Sequence, residues 1–208
     1  MRGIVVTGGE GPEPIALREI ARGADLLVAA DSGLAAAEQA GLSPDLVLGD
    51  MDSLDDPVRL GKYKSECVIR YPPEKDYTDT ELAVALLREK GCDEIWLAGG
   101  GGGRTDHLFA IRSLFEREEP PDRWFTLNEE IRCLRDGRAL EEALPPGSMV
   151  SVFPLGAGPW EAESAGLKWP LDGLSWERGC FGLSNVAVEG DFRIRSFQGR
   201  FMAIWALR

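Results

Sequence analysis

The chain has 208 residues, of which 35 are acidic and 23 basic, for a formal charge of −12. That length buries a substantial core in one large domain or two small ones, and the acidic balance excludes a general nucleic-acid binder, which needs clustered Lys and Arg to meet phosphates. No apolar run approaches the roughly 18 residues of a membrane span, and the run in "MRGIVVTGGE" is too short for a signal peptide, so a cytoplasmic protein without a membrane partner is expected.

Over the first 128 residues, short apolar runs alternate with helical patterns. "GIVVT", "DLLVAA", "DLVLG", "CVIRY", "EIWLAGG" and "WFTLN" read as strands, while "PIALREIARG", "SGLAAAEQAG", "TDTELAVALLREKG" and "TDHLFAIRSLFEREE" repeat apolar residues at helical spacing. This alternation implies an α/β fold, a mostly parallel sheet with helices on both faces. From about residue 130 the rhythm changes to "EIRCL", "SMVSVFPL", "NVAVEG", "FRIRSF" and "RFMAIWAL", β-like runs broken by Gly, Pro and Asp with no helix among them. A small C-terminal all-β sandwich is expected there, giving domains 1–128 and 129–208. The scattered Cys67, Cys92, Cys133 and Cys180 form neither a zinc pattern nor a disulfide framework and read as reduced, mostly buried thiols.

Ligands of such sheets bind beyond the carboxyl ends of the strands. There the chain places "AADSGLAA", "LGDMDSL", "EKDYTDTE" and "GGGGGRTDH", so Asp31, Asp50, Asp52, Asp76, Asp79 and Asp106 gather at one sheet edge. Convergent carboxylates need a cation, and hard oxygen ligands without Cys or His suit Mg²⁺ shared with substrate phosphates. Gly49 lets the chain turn between strand and acids. Taken alone, "DMDSL" reads equally as a turn with Ser53 as a helix cap. "TDTE" is a capping box, with Thr78 as N-cap and Glu81 at N3, which puts Asp79 in a first helical turn. Its carboxylate favours the helix dipole there whatever else it does.

Lys75 is a candidate phosphate contact. The run from Gly99 to Arg104 offers backbone N–H groups, a helix N-terminus and a rigid guanidinium fork to an anion. There is no GxxxxGK[ST] motif and no GxGxxG in a fitting context, so neither a P-loop nor a dinucleotide site is read. His107, the single histidine, reads as a structural hydrogen-bonding residue ahead of a catalyst.

Taken in order, "AADSGLAAAEQAGLSPDLVLGDMDSL", "KDYTDTELA", "GGGGGRTDH", "GLKWPL" and "GLSN" resemble the thiamine pyrophosphokinase family over nearly the whole chain. The resemblance implies an ATP-dependent transferase in thiamine diphosphate biosynthesis, moving a pyrophosphoryl group to the thiamine hydroxyl and releasing AMP. It implies Asp50, Asp52 and Asp79 as the Mg²⁺ ligands, with Asp31 and Asp76 supporting the metal or the phosphates. Lys75, Thr78, Arg104, Asp106 and His107 then fall at the nucleotide and phosphate end, and Trp169, Ser184 and Asn185 at the thiamine pocket. A homodimer is also implied, each site completed by the partner's β domain. Asp31 and Asp106 remain alternatives for a general base. Trp169 reads either as a face for the thiamine cation or as a core residue.

Three rivals stand beside this reading. A pyrophosphokinase acting on a pterin alcohol would differ in the β domain, where "GLKWPL" and "GLSN" favour thiamine. A haloacid-dehalogenase-like phosphohydrolase is suggested by "DMDSL", although that loop would follow the third strand rather than the first and Leu54 stands where Thr or Val is wanted. An acidic nucleotide sensor would bind ATP without turnover.

Overall fold

The computed structural model describes residues 1–50, 57–188 and 190–208. The chain divides into two compact units, one of Met1–Leu114, Arg123–Asn128 and Arg208, the other of Phe115–Asp122 and Glu129–Leu207.

The first unit runs β1 (Arg2–Thr7), α1 (Pro14–Ala21), β2 (Leu26–Ala30), α2 (Gly33–Gln39), β3 (Leu46–Gly49), α3 (Pro57–Leu60), a 3-10 turn (Ser65–Cys67), β4 (Val68–Arg70), α4 (Asp79–Glu89), β5 (Glu94–Ala98), α5 (Thr105–Leu114) and β6 (Arg123–Phe125). Its strands pair in the order β6-β5-β1-β2-β3-β4, every pair parallel. Ile4, Val5 and Val6 are almost wholly buried, which explains the unbroken apolar run: a central parallel strand is covered on both faces.

The register shows which helix covers which face. Thr7 hydrogen-bonds Thr80 of α4, and a side chain added at Gly3 would strike Leu87 of α4, so odd-numbered β1 residues face α4. Ala29, opposite Val6, instead packs with Leu34 of α2. Helices therefore lie on both faces, as the alternation implies.

The second unit comprises β7 (Glu129–Leu134), β8 (Ala139–Ala143), β9 (Met149–Leu155), β10 (Glu161–Ala165), β11 (Gly182–Val186), β12 (Asp191–Gln198) and β13 (Arg200–Ala206). Strands β11-β9-β13-β7 form one antiparallel array and β10-β12-β8 another. Phe201 and Trp205 from the first array and Phe192 and Ile194 from the second share one buried cluster, so the two pack face to face. Phe192 meets Trp205 edge-on, ring centroids 5.7 Å apart.

Several elements differ from expectation. Helix α5 stops at Leu114 instead of continuing through "FEREE", because Glu116, Glu118 and Glu119 would oppose the helix dipole and Pro120 follows. Strands β8 and β10, "ALEEA" and "EAESA", lack the β-branched residues that mark strands. They form because β12 lies between them and sets Arg193 opposite Glu141 and Arg195 opposite Glu163. Strand β11 begins at Gly182, before "NVAVEG", and crosses a register shift at Ser184, whose φ is +56°. Of the four cysteines only Cys92 is buried, and Cys180 is exposed.

Candidate active site

Strand order reverses at β1, which has β2 on one side and β5 on the other. That switch point is where a doubly wound sheet opens a crevice for ligands. The loops after β1 and β5 meet there backbone to backbone: Glu10 N–H donates to Gly101 O at 2.7 Å and Gly101 N–H to Glu10 O at 2.8 Å. Such contact needs glycine. A side chain at Gly99, whose φ is +106°, would sit 2.2 Å from Thr7 O.

One strand further, Asp31 follows β2 with φ +50° and donates its N–H to Leu48 O at 2.8 Å. Gly49 ends β3 with φ +148° directly against Asp31. Asp50 follows. Strand β3 and helix α4 then bring their acids to one ammonium: Lys75 Nζ is 3.9 Å from Asp50 Oδ2, 3.4 Å from Asp79 Oδ1 and 3.3 Å from Pro72 O. These are loose contacts, longer than the 2.7–2.9 Å of a good charge-assisted bond. Asp79 Oδ1 is buried and, with Lys75 off the favourable direction, has no hydrogen-bond partner of good geometry among the described residues. Burial pushes the Asp79 carboxyl pKa up, Lys75 pulls it down, and Asp31 and Asp50 push it up again.

Helix α4 begins as the capping box requires: Thr78 Oγ1 accepts from Glu81 N–H at 3.2 Å, and Thr78 N–H donates to Glu81 Oε2 at 2.6 Å. The Thr78 hydroxyl oxygen thus serves the helix, and what it holds in place is Asp79, the next residue. Asp76 is exposed, and no hydrogen bond or ion pair joins it to Lys75, Asp50 or Asp79 among the described residues. Asp52 lies outside the described residues.

No three His, Cys, Asp or Glu side chains converge as a metal site among the described residues. Mg²⁺ asks for less, because it keeps several waters and is held by one or two carboxylates plus substrate phosphates. Two half-buried carboxylates facing one cation, one of them with an oxygen that lacks a hydrogen-bond partner among the described residues, fit that ion.

At the head of α5, Arg104 grips Asp106 through two bonds, Nε to Oδ1 at 3.1 Å and Nη2 to Oδ2 at 2.6 Å. The Arg104 bond holds the Asp106 carboxyl down at about 2, so Asp106 is a weak proton acceptor. Asp106 also accepts His107 N–H at 3.0 Å. Arg104, Asp106 and His107 are all exposed.

Residues 17–121, which carry this sheet edge, match the family described as thiamin pyrophosphokinase, catalytic domain. The chain belongs to the thiamin pyrophosphokinase family. Members of that family are ATP-dependent pyrophosphotransferases, which favours neither the pterin-alcohol nor the dehalogenase-like rival. A thiamine pyrophosphokinase of Bacillus subtilis (strain 168) is 29% identical over 159 residues, 71% of either chain. The fold is shared more widely. The solved thiamin pyrophosphokinase of Geobacillus thermodenitrificans superposes with a TM-score of 0.77 at 24% identity, over 100% of this chain and 98% of that one. That of Candida albicans gives 0.77 at 18% identity, over 99% and 89%.

Within the second unit, the residues that the pyrophosphokinase resemblance assigns to thiamine sort into two kinds. Trp169 is 54% exposed and is no core residue, unlike the buried Trp205. Lys168 Nζ lies 4.5 Å from the centroid of the Trp169 ring, a cation already on its face. Asn185 is buried and clamps the Trp169 backbone: Trp169 N–H donates to Asn185 Oδ1 at 3.1 Å and Asn185 Nδ2 to Trp169 O at 2.5 Å. These two bonds fix the backbone that carries the tryptophan. Ser184 is exposed on β11, its N–H held by Ser151 Oγ at 3.1 Å.

The sequence analysis missed Thr7 and Thr80, a buried hydroxyl pair 2.7 Å apart beside Asp79. The available signal was a threonine ending the apolar run "GIVVT" and another just inside the capping box.

Proposed function

We propose that this chain transfers a pyrophosphoryl group from ATP to thiamine. The thiamine hydroxyl oxygen bonds to the β-phosphorus, the bond from that phosphorus to the oxygen kept by AMP breaks, and the hydroxyl proton is lost. The products are thiamine diphosphate and AMP. The observation that carries the reading is the pair Asp50 and Asp79 with its orphaned oxygen at the sheet's carboxyl edge.

Asp50 and Asp79 would hold Mg²⁺, with Asp52 added by the family resemblance; bound there, the ion would neutralise charge on the polyphosphate. Asp31, held by β2 and Gly49, adds negative charge to the same pocket. Arg104 supplies a fork for phosphate, oriented by Asp106, with His107 alongside. Of the two candidate bases, the low pKa of Asp106 favours Asp31.

Trp169 would offer its face to the thiamine cation, with Asn185 fixing the turn that carries it and Ser184 near the same strand. A homodimer is part of this reading. Strand β11 is an edge strand, and Met149, Phe181 and Leu183 beside or within it are exposed apolar side chains that a second copy would cover. A cytoplasmic setting suits the ATP requirement and four cysteines without a disulfide. No helix among the described residues is long and apolar enough to cross a membrane.

The test is incubation with ATP, Mg²⁺ and thiamine, with a control lacking thiamine. Thiamine-dependent AMP and thiamine diphosphate are expected. ADP or free phosphate regardless of thiamine would replace this reading with a hydrolase, and bound ATP without turnover would replace it with a sensor.

A further inference from the structure

We propose that Lys75 is a resident counter-cation that occupies the acidic pocket in the metal-free protein and must be displaced by the divalent ion. Its ammonium has three donors, and among the described residues three oxygens face it from two chain segments: Asp50 Oδ2, Asp79 Oδ1 and Pro72 O. Lysine normally keeps its charge in water, yet this side chain is only 13% exposed. The acids therefore hold the ammonium in.

The hold is loose, at 3.3 to 3.9 Å from these three oxygens, and Asp79 Oδ1 stays without a properly directed donor among the described residues. An ammonium that neutralises a pocket without bonding it closely is set up for exchange. A divalent ion coordinates carboxylate oxygens at about 2.0–2.1 Å, and two cations cannot share those oxygens without mutual repulsion. Entry of the metal moves the ammonium off Asp50 and Asp79.

The segment that bears Lys75 allows that movement. Lys75 precedes α4, which begins at Asp79, so its backbone is no part of the helix that fixes Asp79. Once the ion has taken the Asp50 and Asp79 oxygens, the released charge lies beside the metal site. The polyphosphate of the nucleotide is the anion that arrives there. This last step rests on the pyrophosphokinase reading; the displacement does not.

Consequently, removing the lysine should strengthen metal binding while weakening nucleotide binding. Lys75→Met keeps the length and removes the charge, and Lys75→Arg keeps the charge. With no nucleotide present, Mn²⁺ bound to each protein is counted by the paramagnetic resonance of the free ion. Lys75→Met should bind Mn²⁺ about tenfold more tightly than the parent and Lys75→Arg about equally. Equal or weaker binding by Lys75→Met would overturn the proposal and leave Lys75 as a tether of its loop.

Should Lys75→Met not fold, the parent decides the matter through its acetylation rate at Lys75, read by peptide mass spectrometry. Mg²⁺ should speed acetylation by freeing the amine; an unchanged or slower rate would overturn the proposal. With ATP and thiamine, Lys75→Met should show a KM for ATP raised about tenfold and an unaltered KM for thiamine. A parent that makes no AMP would defeat the pyrophosphokinase reading alone, since the Mn²⁺ and acetylation measurements use no substrate.

Discussion

Thr7 Oγ1 lies 2.7 Å from Thr80 Oγ1, both buried, so the last residue of β1 is bonded to the first turn of α4 next to Asp79. The bond joins the switch-point strand to the helix that carries the acid. Thr80→Val keeps the shape and strands the Thr7 hydroxyl, at a cost of about 1–3 kcal/mol. Urea unfolding should show that loss for Thr80→Val and little for Thr80→Ser, with turnover falling only in the former. Equal stability of the two variants would mean the bond contributes nothing.

Asp79 is the acid whose ionisation opposes folding. Burial raises its pKa, so the folded state binds that proton more tightly than the unfolded chain does. The stability it confers is fully present below the ordinary carboxylate value and is lost as pH rises through the raised one. Asp79→Asn should therefore match the parent in Tm at acid pH, gain on it by pH 7, and lose the parent's rise in Tm with Mg²⁺. A variant less stable than the parent at pH 7 would contradict this.

Asp106 has the opposite sign. Its carboxyl sits at about 2 because Arg104 bonds it, so the favourable contribution of the pair is present above the ordinary carboxylate range and is lost as pH falls through 2. The group stays ionised across any working pH. The pH profile of kcat/KM for Asp106→Asn should keep the parent's shape while the KM for ATP rises; disappearance of an acid limb would restore Asp106 as the base.

Two glycines in one loop should respond differently to alanine. At Gly99 the added carbon lies 2.2 Å from Thr7 O with φ +106°, and at Gly103 it meets nothing within 4 Å although φ is +61°. Gly99→Ala should cost about 3 kcal/mol or more and Gly103→Ala about 1–2 kcal/mol. Thermal unfolding of both variants decides it, and similar losses would show that strain rather than the backbone contact dominates.

Trp169 and Asn185 separate contact from positioning. Trp169→Ala removes an exposed ring and should change stability by no more than about 0.5 kcal/mol while raising the KM for thiamine and not that for ATP. Asn185→Leu leaves the Trp169 N–H and C=O without that partner, so it should raise the same KM and also lose about 1–3 kcal/mol. A thiamine KM indifferent to both changes would remove Trp169 from the site.

Much of the first unit was legible because its signals are local. The run "GIVVT" must be buried on both faces, and "TDTE" closes its own cap within four residues, so β1 and the start of α4 follow from neighbours in the chain. Strands β8 and β10 were illegible because what stabilises "ALEEA" and "EAESA" is the arginine-bearing β12 between them, distant in sequence.

The same division runs through the site. Sequence alone determined that acids and glycines follow the strands, because alternating β and α elements send every parallel strand's carboxyl end to one edge. Only the tertiary structure decided that Lys75 stands between Asp50 and Asp79, that Thr7 secures Thr80, and that Asn185 holds the turn bearing Trp169. The physical reason is range. Helix caps and apolar periodicity act over a few residues, whereas a carboxylate meets a distant ammonium only once the order of the strands and the faces of the helices have been set.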